Sequence, residues 1–561
     1  MRSQRLVAVW ACFAVRLLFY SATLPLWEGY DEWAHFAVIR HMAAGGELLV
    51  ARRAPIPRDV EASFRLAPVP WEMRSLPAPS LTEDGYWQLG REERERRERA
   101  LGAMPEEWAR EDGTGSFTAY EALQPPLYYW TMAPALWVSR RLGAGLAGQV
   151  LALRFLGALV ASLVVPAVFL LGRQVWGDGR IALGCAAIAA AMPGLALDVA
   201  RVGNDCLAVV LFTLLTWLTV RMAGEGPTRK LAAWTGLALG LGLLTKAYFL
   251  TAVPAVLAVV VYGWWRARGA RAAADVPWGP VAPVAWRRAR GARAAAGHAV
   301  LPFAISLLVA GWWYLRNVLN TGTLSGLSES VALAGVAPRE MLRQAAGIGW
   351  AKAIDAIFFS HLYFGGWSSL TVRSWMYHVF YAAILAAGVG LARALVSQGA
   401  GAPARRPAIR ALLLVYLAFW LGQLYNVTLL YVSKGLAGSM GWYMYAVVGA
   451  EVVLAVAGLR ELVPAPADGW VAAAGAGMFA LLDLYTVHGV AIPYYTGMIR
   501  HKANGSLGAL GWAGFHGVGT AGAVERLTAF VPAPLWIGLW LLYLAATVGL
   551  VACAAERTGR R

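Results

Sequence analysis

The sequence predicts an all-α, polytopic membrane protein, and three observations predict it. Long apolar runs recur from end to end. Hydrophobic residues make up 59% of the 561 positions and charged ones only 14%, where a soluble domain carries about a quarter. The basic residues gather in short loops between the apolar runs, as the positive-inside rule distributes them. Mean hydropathy is +0.53. The net charge of +17 therefore reads as topology, and no nucleic-acid partner is expected. Cys12, Cys185, Cys206 and Cys553 each sit inside an apolar run without ligand spacing, so they read as small core residues and not as a disulfide framework or a zinc site.

The first apolar run, residues 6–26, is long and is followed by an acidic cluster where a cleavage site would stand, so it is read as a retained first helix, domain 1–26. Three basic loops then set the parity: "GRQVWGDGR" (172–180), "RMAGEGPTRK" (221–230) and segment 265–298 with its seven arginines. If all three are cytoplasmic, as "MRSQR" is, residues 181–220 hold two helices and 231–264 hold two short ones. "LVSQGAGAPARRPAIR", "LRELVPAPADG" and "ERTGRR" fall on the same side. The expectation is about twelve crossings of ~20 residues each, both termini cytoplasmic. A first periplasmic loop with juxtamembrane helices occupies 27–150, and helices 2–7 of a catalytic module occupy 151–316. A second loop follows at 317–373, then helices 8–12 over 374–561 with a loop at 489–533.

Within the first loop, residues 126–141, "PLYYWTMAPALWVSRR", are read as an amphipathic helix along the outer interface, since a crossing there would invert all later parity. In "REERERRERA" (91–100) the pairs Glu92–Arg96, Glu93–Arg97 and Glu95–Arg99 stand at i,i+4 and predict a solvated helix. The Pro-rich stretches 54–80 and 273–283 read as loop.

With this topology the unusual polar residues fall on one side. Asp31, Glu32 and His35 end helix 1, and Gln124 precedes "PPLYYW" with its Tyr128. Asp198, Arg201, Asn204 and Asp205 cap the 3–4 turn, Lys246 the 5–6 turn, and Arg316 ends helix 7. A charge at bilayer depth costs about 2.5–3.5 kcal/mol on insertion scales, so such residues mark function unless they snorkel to the interface. Only five lysines (230, 246, 352, 434, 502) stand among 49 basic residues, and Lys246 lies inside an apolar run, where a compact point charge has a purpose.

The succession "YDEWAHF", "QPPLYYW", "RVGNDCLA", "GLLTKAYF" and "WWYLRN" resembles the GT-C superfamily, integral-membrane glycosyltransferases that use polyprenyl-phosphate sugars. "DE..HF" is similar to protein O-mannosyltransferases, and "PPLYYW" with "LTK" to the aminoarabinose transferases of lipid A. "FGGWSSL" and "MGWYMYAVVGAE" look like a large group of bacterial GT-C-like membrane proteins. The resemblance covers residues 1–320 well and the last third loosely. It implies a GT-C-like fold and a catalytic base at Asp31, with Glu32 as neighbour or alternate. It also implies an acidic contact at Asp205 and a phosphate contact at Lys246. Where such enzymes carry Lys or His before "PPL", this chain has Gln124; where they carry Arg before a late Tyr, it has Trp442–Tyr443.

The chemistry is coherent on these residues. Transfer from a lipid phosphate to a hydroxyl needs a base, which contributes about 10²–10⁴-fold, and cations on the leaving phosphate, here Lys246 and Arg316. His35 is expected to orient a carboxylate; Asp31 and His35 at i,i+4 could also hold a metal, but none is required and none is predicted. The expectation is thus an inverting transferase of a bacterial inner membrane, acting on the periplasmic face. Its partners would be membrane lipids, a polyprenyl-phosphate sugar donor and an acceptor of undefined class: lipid, glycan or protein. The alternatives are a lipid or polysaccharide transporter, for which internal symmetry is absent, and an inactive GT-C-like scaffold.

Overall fold

The computed structural model describes residues 2–48, 56–106, 118–262, 281–396, 402–464 and 468–555, and among these it is helical throughout, with three isolated β-bridges. Among the described residues nine helices are long and apolar enough to cross a membrane: Gln4–Thr23, Leu146–Trp176, Asp205–Glu225, His298–Thr321, Ser374–Val396, Arg406–Lys434, Gly441–Leu462, Val471–Tyr495 and Ala533–Ala555. A tenth is possible if Gly179–Ala191 and Pro193–Val199, bent by 65° at Met192, form one span. The expected twelve are not confirmed among the described residues. The difference lies at the 15-residue helix Arg229–Leu243 and the apolar helix after Lys246, of which residues 247–262 are described.

Other elements also differ from expectation. Of the basic segment 265–298, residues 265–280 lie outside the described residues, while 281–298 belong to one helix running to Thr321. Parts of the other expected cytoplasmic segments (397–401, 465–467 and the terminal 556–561) lie outside the description, as do 49–55 and 107–117 of the first loop. The helix Leu127–Arg141 forms where the amphipathic helix was expected, with Trp130, Trp137 and Val138 exposed. The helix Arg91–Gly102 also forms, with the expected Glu93–Arg97 pair, but Glu93 takes Arg96 as well, and Glu95 takes Arg91. Arg97 is buried, donating to the carbonyls of Arg65 and Pro79, so this face is docked and not solvated.

The first and last spanning helices close the bundle on a buried charge. Arg16 lies 2.8 Å from Asp483, whose two oxygens also accept from Tyr20 (2.6 Å) and Tyr543 (2.7 Å). The same guanidinium donates to the carbonyls of Ala190 and Ala191, at the break before Pro193, which has no N–H to continue the ladder. One side chain therefore satisfies a helix break and a carboxylate together, which makes both tolerable in an apolar interior.

At one end of the bundle, the loops bind one another. Glu28 accepts from Ser368 through its backbone N–H (2.9 Å) and hydroxyl (2.7 Å). His501 stacks on Trp71 at 4.1 Å, meets Asp84 at 2.9 Å and donates to the Ser368 carbonyl. Replacing Asp483 by Leu leaves Arg16 buried without its anion and should cost about 3–5 kcal/mol, whereas Asp483→Asn retains acceptors for the tyrosines and should cost less. Thermal unfolding in detergent measures both; a negligible loss in both variants would show that the charge is not what holds this closure.

Candidate functional site

Asp31 owes its position to its neighbours on either side. Tyr30 is buried and stacks on Trp442 at 3.8 Å; its hydroxyl donates to the Phe364 carbonyl, and its own carbonyl accepts from Arg201 at 2.8 Å. Glu32 begins the helix Glu32–Ala43 and is fully buried. Between these two anchors Asp31 is held in the left-handed region, φ 56° and ψ 15°, a conformation that costs a non-glycine residue roughly 1–3 kcal/mol. The Tyr120 hydroxyl donates to its carboxylate at 2.5 Å.

Asp31 opens on a cavity of about 910 Å³. One end is polar, formed by Asp31, Tyr120, Glu121, Gln124, Lys246 and Tyr443. The wall beyond is apolar, with Leu250, Phe419, Leu429 and Leu430, and the far rim carries Glu329 and Lys434, paired at 2.5 Å. The size is that of a small-molecule site.

Lys246 follows the last turn of Arg229–Leu243 and reaches Asp205 Oδ1 at 2.5 Å, with its ammonium 5.2 Å from the Tyr248 ring and 5.3 Å from that of Tyr443. Asp205 Oδ2 takes Arg201 at 2.7 Å, and Arg201 also takes Asp198 at 2.9 Å. Asn204 donates to the Thr245 carbonyl at 3.3 Å, pinning one turn to the other. An ammonium has three N–H donors, so the Asp205 pair leaves capacity for a ligand in the cavity.

The structure thus brings Asp31, Gln124, Lys246 and Tyr443 to one surface, with Asp205 and Asn204 behind it. The remaining candidates are placed otherwise. Glu32 gives both oxygens to Arg154 (2.7 and 2.6 Å) and one also to the Val202 N–H, so it is an anchor turned away from the cavity and not an alternate base. His35 meets a carboxylate, that of Glu121 and neither Asp31 nor Glu32: Nδ1 meets Tyr129 at 3.0 Å and Nε2 lies 3.6 Å from Glu121. Tyr128 is fully buried and lines no part of the cavity. Trp442 serves as the platform under Tyr30. Arg316 lies within the helix that runs to Thr321, stacks on Trp313 and donates to the Leu48 carbonyl at 3.2 Å, away from the cavity lining.

Glu121 and Tyr120 are site residues that the sequence reading passed over, although an ionisable residue three positions before "QPP" was a signal. Burial first, then the neighbouring Asp31, pushes the Glu121 carboxyl up to about 8. Asp31 is likewise raised by burial, an effect partly opposed by the Tyr120 hydrogen bond and by Arg201 and Lys246. His35 is pushed down by burial and by the same two cations, which keeps its ring neutral. Among the described residues no three His, Cys, Asp or Glu side chains converge as metal ligands.

Two outcomes follow from this geometry. Glu32→Gln should lower the melting temperature markedly, because it leaves Arg154 buried without its anion, whereas Asp31→Asn should leave it unchanged or raise it. Equal melting temperatures in thermal unfolding would contradict the anchor role. Glu121 binds its proton more tightly folded than unfolded, so its contribution to stability is complete below the unfolded value of about 4.3 and is lost as pH rises through about 8. Melting temperature should fall between about pH 4 and about pH 8, and less steeply in Glu121→Gln.

No curated protein matches this sequence. Among solved structures, the fold is similar to ArnT from Cupriavidus metallidurans bound to undecaprenyl phosphate, at 16% identity over 98% of this chain and 77% of that one, TM-score 0.44. The apo state of the same protein gives 16% identity, 99% and 78% coverage, and TM-score 0.44. An oligosaccharyltransferase from Archaeoglobus fulgidus, in complex with Zn and sulfate, is similar at 14% identity over 65% of this chain and 43% of that one, TM-score 0.29. Residues 13–450 match the model of a family described as "Predicted membrane protein (DUF2142)", and with most of its length inside that match the chain belongs to this membrane-protein family.

Proposed function

We propose that this protein is a GT-C-type glycosyltransferase of a bacterial inner membrane, moving a sugar from a polyprenyl-phosphate donor to an acceptor on the periplasmic face with inversion. The observation that carries the reading is that Asp31 and Lys246, a strained carboxylate and a buried lysine, line the polar end of one cavity whose wall is apolar. The apolar wall suits a prenyl chain, and the polar end suits a phosphate and a sugar. Asp31 takes the proton of the acceptor hydroxyl as its oxygen bonds to the anomeric carbon, and the bond from that carbon to the donor phosphate breaks. Lys246 meets the growing negative charge on the departing phosphate, already oriented by Asp205 and the two tyrosine faces. Arg316 drops out of the phosphate site. Its share falls to Lys246, and Gln124, whose Oε1 is buried without a partner in the cavity wall, can accept from a sugar hydroxyl.

The strain at Asp31 fits this role. A carboxylate raised above its usual range by burial is a stronger base, and backbone strain persists where the surroundings enforce it. With purified protein in lipid vesicles and a panel of radiolabelled polyprenyl-phosphate sugars, Asp31→Asn should cut turnover at least ~100-fold with melting temperature intact. The acid limb of kcat/KM should lie above the usual aspartate value of about 4, because the base must lose its proton first. Near-normal turnover in Asp31→Asn would remove the base from this reading.

Lys246→Met preserves the apolar stem and leaves Asp205 its Arg201 partner, so folding should survive. The loss in kcat/KM with the donor varied should be about 2–4 kcal/mol, the worth of one preorganised contact to developing charge. A transporter or an inactive scaffold would show no transfer with any donor, and a lysine that only snorkels would leave the kinetics unchanged.

A further inference from the structure

A second concavity lies at the opposite end of the Asp205–Glu225 helix from the Asp31 cavity. It is a groove of about 490 Å³ between that helix and Arg229–Leu243. Packing on the far side accounts for it. The Arg229–Leu243 helix is drawn against His298–Thr321 through glycines: a Cβ at Gly236 would stand 2.6 Å from the Pro302 carbonyl oxygen, and one at Gly240 would stand 2.7 Å from Val309 Cβ. This close approach leaves the opposite face, Trp234, Leu237 and Leu241, looking across an open gap at Leu211, Leu214 and Trp217.

The groove is apolar along its length and basic at one mouth. From Lys230 to Leu241 it extends roughly 16 Å at 1.5 Å per helical residue. Trp234 is 53% exposed at its edge. At the mouth stand Arg221, Thr228 and Lys230. Arg221 is shared with Glu225 at 2.8 Å and stacks on Trp217, whereas Lys230 is exposed and meets no carboxylate among the described residues. Thr228 caps the helix that begins at Arg229, so the first-turn N–H groups add positive potential beside Lys230.

We propose that this groove binds one anionic phospholipid, its phosphate at Lys230 and an acyl chain between Trp217 and Trp234. The charge of the mouth selects the headgroup, and the apolar trench selects the chain. The short Arg229–Leu243 helix gives the lipid a role in filling a face that the protein leaves uncovered. The basic mouth stands apart from the transfer site: from Asp205 to Arg221 the helix rises roughly 24 Å.

Native mass spectrometry of protein reconstituted in mixed phosphatidylglycerol and phosphatidylcholine with matched chains tests this, reading the lipid retained after detergent exchange. Wild type should retain one phosphatidylglycerol in preference to phosphatidylcholine. Lys230→Gln should lower that retention about tenfold, the equivalent of one charge-assisted contact. Lys230→Arg should restore it, and Lys352→Gln, elsewhere on the surface, should not change it. Leu214→Trp, which fills the trench, should reduce retention of both lipids. Equal retention of the two lipids by wild type, retention insensitive to Lys230→Gln, or a lipid-free dimer with the groove covered by a second copy would each overturn the proposal.

Discussion

The position of Asp31 depends on a single guanidinium. Arg154, buried in the Leu146–Ser162 helix, holds Glu32 with two hydrogen bonds and also donates to the backbone carbonyls of Ser21, Leu24 and Pro25. Those carbonyls belong to the frayed end of the first spanning helix, and Glu32 opens the next helix. A helix end without partners is costly in an apolar setting, and so is a lone buried carboxylate. Arg154 resolves both, and in doing so it fixes the chain on either side of residues 25–31. Asp31 cannot relax from its left-handed conformation without breaking that knot.

The second network works by a related economy. Arg201, Lys246 and the carboxylates of Asp198 and Asp205 are almost fully buried, yet each charge has an opposite neighbour. A buried ion pair contributes little net stability, because desolvation consumes most of the Coulomb gain. What it supplies is placement. The turn after Val199 and the turn after Leu243 are joined by Asp205–Lys246 and by Asn204 to the Thr245 carbonyl, so the lysine reaches the cavity from a fixed base.

The helical class and the gathering of polar residues at one set of helix ends were legible in the sequence, because apolar periodicity and arginine placement are local signals. Asp31, Asp205 and Lys246 were legible for the same reason: an ionisable residue beside an apolar run stands out. The partners were not. Arg154 and Glu32 are 122 positions apart, and Glu329 and Lys434 are 105 apart. Nothing in either segment separates a charge that anchors from one that faces a ligand. Glu32 looked equivalent to Asp31 because they are adjacent, yet the turn sends their side chains to opposite sides. The crossing count is unconfirmed at residues 229–262, where charge parity asks for two passes and the helix before Lys246 has 15 residues.

The pairing of Arg16 with Asp483 has a temporal consequence. Synthesis proceeds from the N-terminus at ~5–20 residues per second, so the first helix is made roughly 25 to 90 s before its anion exists. During that interval Arg16 has at most the carbonyls of Ala190 and Ala191. An uncompensated arginine in a spanning helix makes residence in the lipid unfavourable. The first helix is thus born first but gains its anion late, and the clasp of His501 on Asp84 and Trp71 needs chain made later still. A ribosome paused upstream of residue 483 holds a chain in which Asp31 and its cavity wall have been translated while the Arg16 charge still lacks its anion.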